Sequence, residues 1–312
     1  MWRLGGRIQF LQREYPRGLG TAIVPLMDTS RAQRNADTAA NGSVFGRLLR
    51  GWRGRRGFSQ LDLALAARTT QRHLSFIESG RATPSRAMIL RLAATMNLPL
   101  RLQNALMLAA GYAPVWRERD LATPDLAVVN SALDYMLAQH EPYPAFVVDR
   151  CWNLLRANGG ATNLTEFLIG PQPADAPSEP VNLAVALVSG DGLRPLIVNW
   201  QEVALYFMRG VQADARADGT PETADLLARL LAFPDVAALS ETIPPEEEAQ
   251  SPVLPIHFFH KATSLRLFTT IATLGTPRDV TLQEVRIEFF FPMDEPTAQA
   301  LRGWGEQTRL TA

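Results

Sequence analysis

The sequence contains very little cysteine, lysine or histidine. Its 312 residues include one cysteine, Cys151, one lysine, Lys261, and four histidines. A single cysteine excludes a disulfide scaffold and a zinc site built on clustered cysteines. The chain lacks a run of about 18 apolar residues, which argues against a transmembrane helix. Hydrophobic residues nevertheless make up 46% of the chain, so a wholly disordered protein is excluded and the length predicts two domains.

The charges are distributed unevenly, although 31 basic and 31 acidic residues give a formal net charge of zero. Residues 1–120 contain 19 arginines and 7 acidic residues, a net charge of +12. Residues 121–312 contain 11 arginines and Lys261 against 24 acidic residues, a net charge of −12. This asymmetry suggests a basic module that binds an anion, joined to an acidic module that does not. Solvated charges arranged by chance would look similar, so a motif must decide between the two.

The first 112 residues divide into an extension and a helical domain. Residues 1–42 carry no sustained hydrophobic period, which predicts a disordered N-terminal extension. From residue 43 the pattern becomes helical, with Phe45, Leu48, Leu49 and Trp52 on one face of the first helix. We therefore expect one small all-α domain of five helices over residues 43–112. The residues that cap or open these helices are Ser43, Ser59, Thr70, Ser85 and Pro99.

A charged linker over residues 113–124 precedes a second domain, residues 125–305, in which helical and strand patterns mix. Two short strands, Ala145–Asp149 and Trp152–Arg156, are predicted on either side of a tight turn. Three other segments predict helices: Asn158–Ile169, Glu202–Gln212 and Pro221–Ala232. The segment Val181–Ser189 is ambiguous between helix and strand. Three runs rich in β-branched or aromatic residues predict strands: Leu254–His260, Ser264–Thr273 and Glu284–Phe291. The fold class is thus a multi-domain chain, an all-α domain followed by an α/β domain.

Residues 59–85, SQLDLALAARTTQRHLSFIESGRATPS, carry the most informative motif. They predict two short helices that meet at a tight turn, the second with a polar surface. In a helix-turn-helix the second helix enters the major groove of DNA while the first crosses the backbone. Gln71 and Arg72 suit bidentate contacts with adenine and guanine, and Phe76 suits contact with a thymine methyl group. Three other residues are placed to hydrogen-bond phosphates: Gln60, Thr70 and His73.

Residues 43–112 resemble the xenobiotic-response-element family of phage-repressor-like helix-turn-helix regulators. The matching pieces are LRxWR in the first helix, SQ at the start of the second, HLSxIExG in the third and PS before the fourth. The resemblance implies that Arg53 pairs with Glu78, and we assign this pair to folding rather than to base recognition. The family usually has glycine at the turn before the third helix, where this chain has Arg68. Arg68 is therefore a candidate for an additional phosphate contact.

The second domain resembles the MmyB-like ligand-binding domain that follows this kind of helix-turn-helix in bacterial regulators. The resemblance rests on residues 143–161, on GLRPLIVNWQEVA with Trp200, and on residues 265–295. It implies a PAS-like fold, an antiparallel sheet with helices around an apolar cavity. At least one family member is associated with a bound fatty acid, so a fatty acid or similar apolar ligand is expected here.

Several apolar residues are candidates for lining such a cavity, although each alone is more typical of ordinary core packing. They are Phe146, Val148, Trp152, Leu154, Phe167, Trp200, Phe207, Leu267 and Phe289. Three arginines are candidate anchors for an anionic ligand head, although each is more often a solvated surface charge: Arg156, Arg209 and Arg266.

Other chemistry is poorly supported by the sequence. His257 and His260 would face opposite sides of a predicted strand, so we expect no metal site there. Cys151 is expected to be an inert thiol. The sequence lacks a nucleophile elbow and a phosphate-binding loop, so an enzyme is not expected.

The sequence thus predicts a cytoplasmic one-component transcriptional regulator without a cofactor. It would bind an operator as a homodimer, act as a repressor and respond to a small apolar ligand. Two alternatives stay open. The second domain would serve only dimerisation or partner docking, or it would be an enzyme fused to a DNA-binding domain.

Overall fold

The computed structural model describes residues 43–171, 181–240 and 253–311. The extension predicted for residues 1–42 lies outside the described residues. The chain divides into two compact units. The described part of the N-terminal unit is residues 43–118 with Arg278–Val280, and that of the C-terminal unit begins at Arg119. The boundary after Glu118 falls inside the stretch predicted to be a linker. Within the described ranges, no helix has the length and apolar character needed to cross a membrane.

Five α-helices make up residues 43–109 of the N-terminal unit, which confirms the predicted all-α architecture. Ser43, Ser59, Thr70 and Ser85 each accept a hydrogen bond from a backbone N–H in the first turn of the helix that follows. These caps satisfy donors that a helix start otherwise leaves unpaired, which is why short helices begin at these residues. The helices are α1 (Val44–Arg55), α2 (Gln60–Ala66), α3 (Gln71–Glu78), α4 (Arg86–Thr95) and α5 (Leu100–Ala109).

The C-terminal unit combines helices with one antiparallel sheet, as the sequence predicts. In its described residues the sheet has five strands in the order β2-β1-β5-β4-β3. The strands are β1 (Ala145–Val148), β2 (Leu154–Ala157), β3 (Ile256–His260), β4 (Thr263–Thr273) and β5 (Arg286–Pro292). The helices are α6 (Ala127–Gln139), α7 (Gly159–Ile169), α8 (Leu183–Val188), α9 (Trp200–Asp218), α10 (Pro221–Leu231), α11 (Pro234–Ser240), α12 (Val280–Glu284) and α13 (Glu295–Thr311). The ambiguous stretch after residue 181 is therefore helical, and Asn182 caps it.

Apolar clusters cover both faces of the sheet. Successive side chains along a strand point to opposite faces, so alternate residues belong to different clusters. On one side, called the α9 face, Phe146, Leu267 and Phe290 pack with buried residues of α9. On the other side, called the α6 face, Val147 and Ile287 pack with Leu133 and Leu137 of α6. The larger apolar cluster lies on the α9 face, so this face is the candidate location for an apolar ligand.

Candidate DNA interface and ligand pocket

The start of α3 is set by the turn that follows α2. Thr70 Oγ1 accepts a hydrogen bond from the His73 backbone N–H at 3.1 Å and so fixes the first residue of the helix. Arg68, at the turn, has a φ of +51°. This left-handed conformation is the one that glycine adopts without strain, and the family usually has glycine here. The chain therefore makes the expected turn with an arginine, whose exposed side chain lies beside the start of α3.

Glu78 of α3 accepts hydrogen bonds from side chains of both α1 and α2 and so links the three helices. It is 1% exposed, and Arg53 of α1 donates to it from Nε at 2.6 Å and from Nη2 at 3.2 Å. Gln60 of α2 donates from Nε2 to Glu78 Oε2 at 2.8 Å. A buried carboxylate needs such partners, because an unpaired buried charge is strongly destabilising. Gln60, predicted to contact phosphate, thus also has a place in this buried network.

The exposed surface of α3 carries the residues predicted to contact bases. Gln71 and Arg72, in the first turn, are exposed, whereas Leu74 and Ile77 are fully buried on the opposite side. Phe76 is half-buried, and the guanidinium carbons of Arg72 and Arg81 lie 5.4 Å and 5.8 Å from its ring centre. Cation–π contacts of this kind orient a guanidinium without occupying its hydrogen-bond donors. Arg72 is therefore held at the surface with donors available for an acceptor.

The charge of the described N-terminal unit is strongly positive. Residues 43–118 contain 12 arginines and 3 acidic residues, a net charge of +9. One of the three acidic residues, Glu78, is buried against Arg53, and another, Asp62, closes the capping box of α2. Exposed arginines thus dominate the surface around α3, and phosphates would be attracted to it.

Of the nine residues predicted to line a cavity, eight belong to the apolar cluster on the α9 face. Phe146, Val148, Trp152, Trp200 and Leu267 are buried there, and Leu154, Phe167 and Phe207 pack against them. Phe289 does not join them, and that part of the prediction is wrong. It packs on the α6 face, because β5 directs its neighbours Glu288 and Phe290 to the opposite side.

The three arginines predicted to anchor an anionic ligand do not point into this cluster. Arg156 binds Asn130 and Asp134 of α6, and Arg209 and Arg266 are exposed. Arg286, which the sequence reasoning missed, lies over the Trp152 ring at 5.8 Å. Its Nη1 is 2.7 Å from Asp214 Oδ2 of α9. The Arg286 guanidinium is therefore already paired with an acidic partner.

The carboxyl group of Glu288 also lies on the α9 face, and the sequence did not predict it as a site residue. Glu288 of β5 pairs in register with Phe146 of β1 and Ile271 of β4. Loss of hydration raises the pKa of Glu288 to about 7, although a hydrogen bond from Thr269 acts in the opposite direction. A charged residue in the middle of the apolar run RIEFFF was the signal available in the sequence. Its position became interpretable only when the strand register was known.

The remaining candidate chemistry is weak. Burial first, and then the Asp149 charge, raises the pKa of the Cys151 thiol to about 11. His257 contacts Ser264 and His260 packs on Phe167. Across residues 43–171, 181–240 and 253–311, no group of three or more His, Cys, Asp or Glu side chains is arranged to hold a metal ion.

Comparison with known families agrees with both units. A helix-turn-helix domain model matches residues 44–106, and the model described as the MmyB-like transcription regulator ligand binding domain matches residues 129–303. The fold and these matches define a DNA-binding transcription regulator of the helix-turn-helix class. The second match spans more than half of the chain, so the protein belongs to the MmyB-like transcription regulator family.

Comparison with individual proteins adds little. A solved structure titled "Structure of an RNA-binding Light-Oxygen-Voltage Receptor" is 13% identical, with 92% of this chain and 69% of that chain covered. Its TM-score is 0.26, which is too low to support an argument about fold or function. Comparison with curated proteins gives no match.

Proposed function

We propose that this regulator binds operator DNA in a sequence-specific manner through α3, as a homodimer in the cytoplasm, and represses transcription. A small apolar molecule bound on the α9 face would change its affinity for DNA. The observation that carries the proposal is the pair Gln71 and Arg72, exposed at the capped start of α3 in a unit of net charge +9. Phosphate contacts from the arginine-rich surface would supply affinity, and these two side chains would supply base recognition.

The C-terminal unit supports the regulatory part of the proposal. Its antiparallel sheet, covered by helices over a large apolar cluster, agrees with the PAS-like ligand-binding fold that the family resemblance implies. A ligand can shift the protein between DNA-competent and incompetent states only if it binds one state more tightly than the other. Co-purified lipid would therefore be expected to change DNA affinity, not only stability.

Substitution of Arg72 tests the DNA interface. An operator is first selected from random duplexes with the full-length protein, and affinities are then measured by gel shift. Arg72→Ala should weaken operator binding by about 1–3 kcal/mol, with a smaller loss on unrelated DNA. Arg91→Ala, which removes an exposed arginine of α4, is the matched control and should leave the preference for the operator unchanged. Equal operator affinity in wild type and Arg72→Ala would contradict the assignment.

Native mass spectrometry of the full-length protein tests oligomeric state and ligand together. A dimer that carries a small apolar molecule would support the proposal. A ligand-free dimer whose DNA affinity does not respond to added lipid would favour a second domain that serves only dimerisation or partner docking.

A further inference from the structure

Trp152 presents an unsatisfied hydrogen-bond donor inside the apolar cluster on the α9 face. The residue is 7% exposed, and its indole N–H has no hydrogen-bond partner among the described residues. Trp200, the other buried tryptophan of this cluster, donates to the Leu187 carbonyl oxygen at 2.9 Å. Buried tryptophan N–H groups normally find an acceptor, because a lost hydrogen bond is costly away from water. Trp152 is therefore exceptional within its own cluster.

The backbone holds Trp152 in a strained position. Its φ is +63°, a conformation that a bulky residue rarely adopts. Its backbone N–H donates to the Asp149 carbonyl, and its carbonyl accepts from the Leu183 N–H. The ring is packed edge-on against Phe207, with 4.7 Å between ring centres. Strain maintained by several contacts is typical of functional positions.

Glu288 shares this face of the sheet. It lies two residues from Arg286, whose guanidinium is over the Trp152 ring, and alternation places both on the same side of β5. Thr269 hydrogen-bonds the Glu288 carboxyl group. Ile271, opposite Glu288 on β4, is 50% exposed. The helical cover therefore ends near Glu288, so a molecule could reach the cluster at this edge.

We propose that Trp152, Glu288 and Thr269 form the polar end of the ligand site, and that the ligand is an apolar molecule with an uncharged head that both accepts and donates hydrogen bonds. A primary alcohol or a primary amide on an alkyl chain has this chemistry. The inference rests on the proposed ligand-binding role of the C-terminal unit and specifies its ligand class.

The hydrogen-bonding capacities of Trp152 and Glu288 explain this choice. The Trp152 indole can only donate, so the ligand head must contain an acceptor. The Glu288 carboxyl group accepts readily, so the head also gains from a donor. A carboxylate ligand would satisfy Trp152 but would oppose Glu288 once that group is ionised. Arg286 would not compensate, because Asp214 already pairs with it.

The test measures binding of 1-decanol, decanamide and decanoate to the full-length protein at pH 8, by calorimetry and without DNA. Wild type should bind the alcohol and the amide at least about tenfold more tightly than the acid. Trp152→Phe removes the donor but keeps an aromatic ring, and should weaken alcohol binding by about 2- to 10-fold. Glu288→Leu should weaken it to a similar degree, whereas Glu288→Gln keeps a hydrogen-bond acceptor at this position and should preserve it. Glu288→Gln should also bring decanoate closer to decanol in affinity.

Two matched controls isolate the site. Glu166→Gln removes an exposed carboxylate of α7, and Trp116→Phe removes an indole N–H in the N-terminal unit. Neither should change the affinity for decanol. Circular dichroism melting confirms that each variant is folded, and Glu288→Leu keeps the test valid if Trp152→Phe does not fold.

Three outcomes would overturn the proposal: tighter binding of decanoate than of decanol by wild type, equal decanol binding by wild type and all folded variants, or no binding of any probe. Different results would contradict the proposed function. A chain that binds decanol as expected but no operator would not be a ligand-controlled DNA-binding regulator. A chain that binds another co-purified molecule with an effect on DNA affinity would retain the function but not this ligand class.

Discussion

At the scale of the residue, Arg68 combines a backbone conformation suited to glycine with a charge suited to DNA. Its φ of +51° places it in the left-handed region, which costs residues with a side chain roughly 1–2 kcal/mol. The exposed guanidinium is available for a phosphate beside the start of α3. Arginine at this position thus lowers the stability of the turn but favours DNA binding. Two substitutions separate the effect on stability from the effect on binding.

Arg68→Gly should stabilise the N-terminal unit, whereas Arg68→Ala should not. Glycine relieves the left-handed strain but makes the unfolded chain more flexible, so the expected net gain is about 0.5–1 kcal/mol in the free energy of unfolding. Alanine keeps the strain. Both variants should lower the salt dependence of DNA binding by about one unit of slope, since both would remove the phosphate contact proposed for Arg68. Denaturant unfolding and gel shifts over a salt series measure the two effects. Equal stability of the two variants would show that the turn is unstrained.

At the scale of the element, α1 packs closely against the end of α3, with Gly46 at the contact. A Cβ added at Gly46 would lie 2.2 Å from the carbonyl oxygen and 2.8 Å from the carbonyl carbon of Glu78. Backbone atoms cannot move aside as a flexible side chain can, so α1 and α3 would have to separate. This separation would also displace the buried Glu78 carboxylate from Arg53.

Gly46→Ala should therefore destabilise the protein by about 1–3 kcal/mol or more. Gly51 lies on the same helix, and an added Cβ there meets nothing within 4 Å in the described part of the chain. Gly51→Ala should stabilise by up to about 1 kcal/mol, because alanine favours helix over glycine. Thermal unfolding of both variants gives two changes of opposite sign. A loss of stability in both would refute the close-packing argument.

The first four helices of the N-terminal unit were predictable because each begins after a Ser or Thr cap that the local sequence displays. Local signals also existed for elements that the sequence reasoning missed. Asp294 caps α13, and Pro234 opens α11. The position of Phe289 was not predictable in the same way, since the face it occupies depends on strand pairing. The proximity of Trp152 and Arg286 likewise arises from a contact between segments more than 130 residues apart in the chain.

At the scale of the whole molecule, Glu288 makes stability depend on pH. Its pKa is raised from 4.5 to about 7 in the folded protein, so folding favours the neutral form. The stabilisation this confers is complete below the unfolded pKa and is lost as the pH rises towards 7. The folded protein above pH 7 carries a charge that burial disfavours.

Comparison of wild type with Glu288→Gln isolates this contribution, since the variant cannot ionise at this position. Between pH 5 and pH 8, wild type should lose on the order of 2 kcal/mol of stability relative to the variant. Thermal melting at a series of pH values measures the difference. Parallel curves for the two proteins would mean that Glu288 titrates normally. The other titrating groups, including four histidines, are common to both proteins and cancel.

The order of the strands has a consequence for how the protein is made. β5 lies at the centre of the sheet but comes last in the sequence among the five described strands, after β1 and β2 by more than 120 residues. During synthesis the ribosome therefore releases two separate hairpins, β1-β2 and β3-β4, before the strand that joins them emerges. A nonsense mutation between residues 281 and 285 would remove that strand and leave the sheet in two pieces, while the described N-terminal unit, residues 43–118 with Arg278–Val280, kept all its residues. Such a truncated product would keep the surface proposed to read DNA and lose the module proposed to control it.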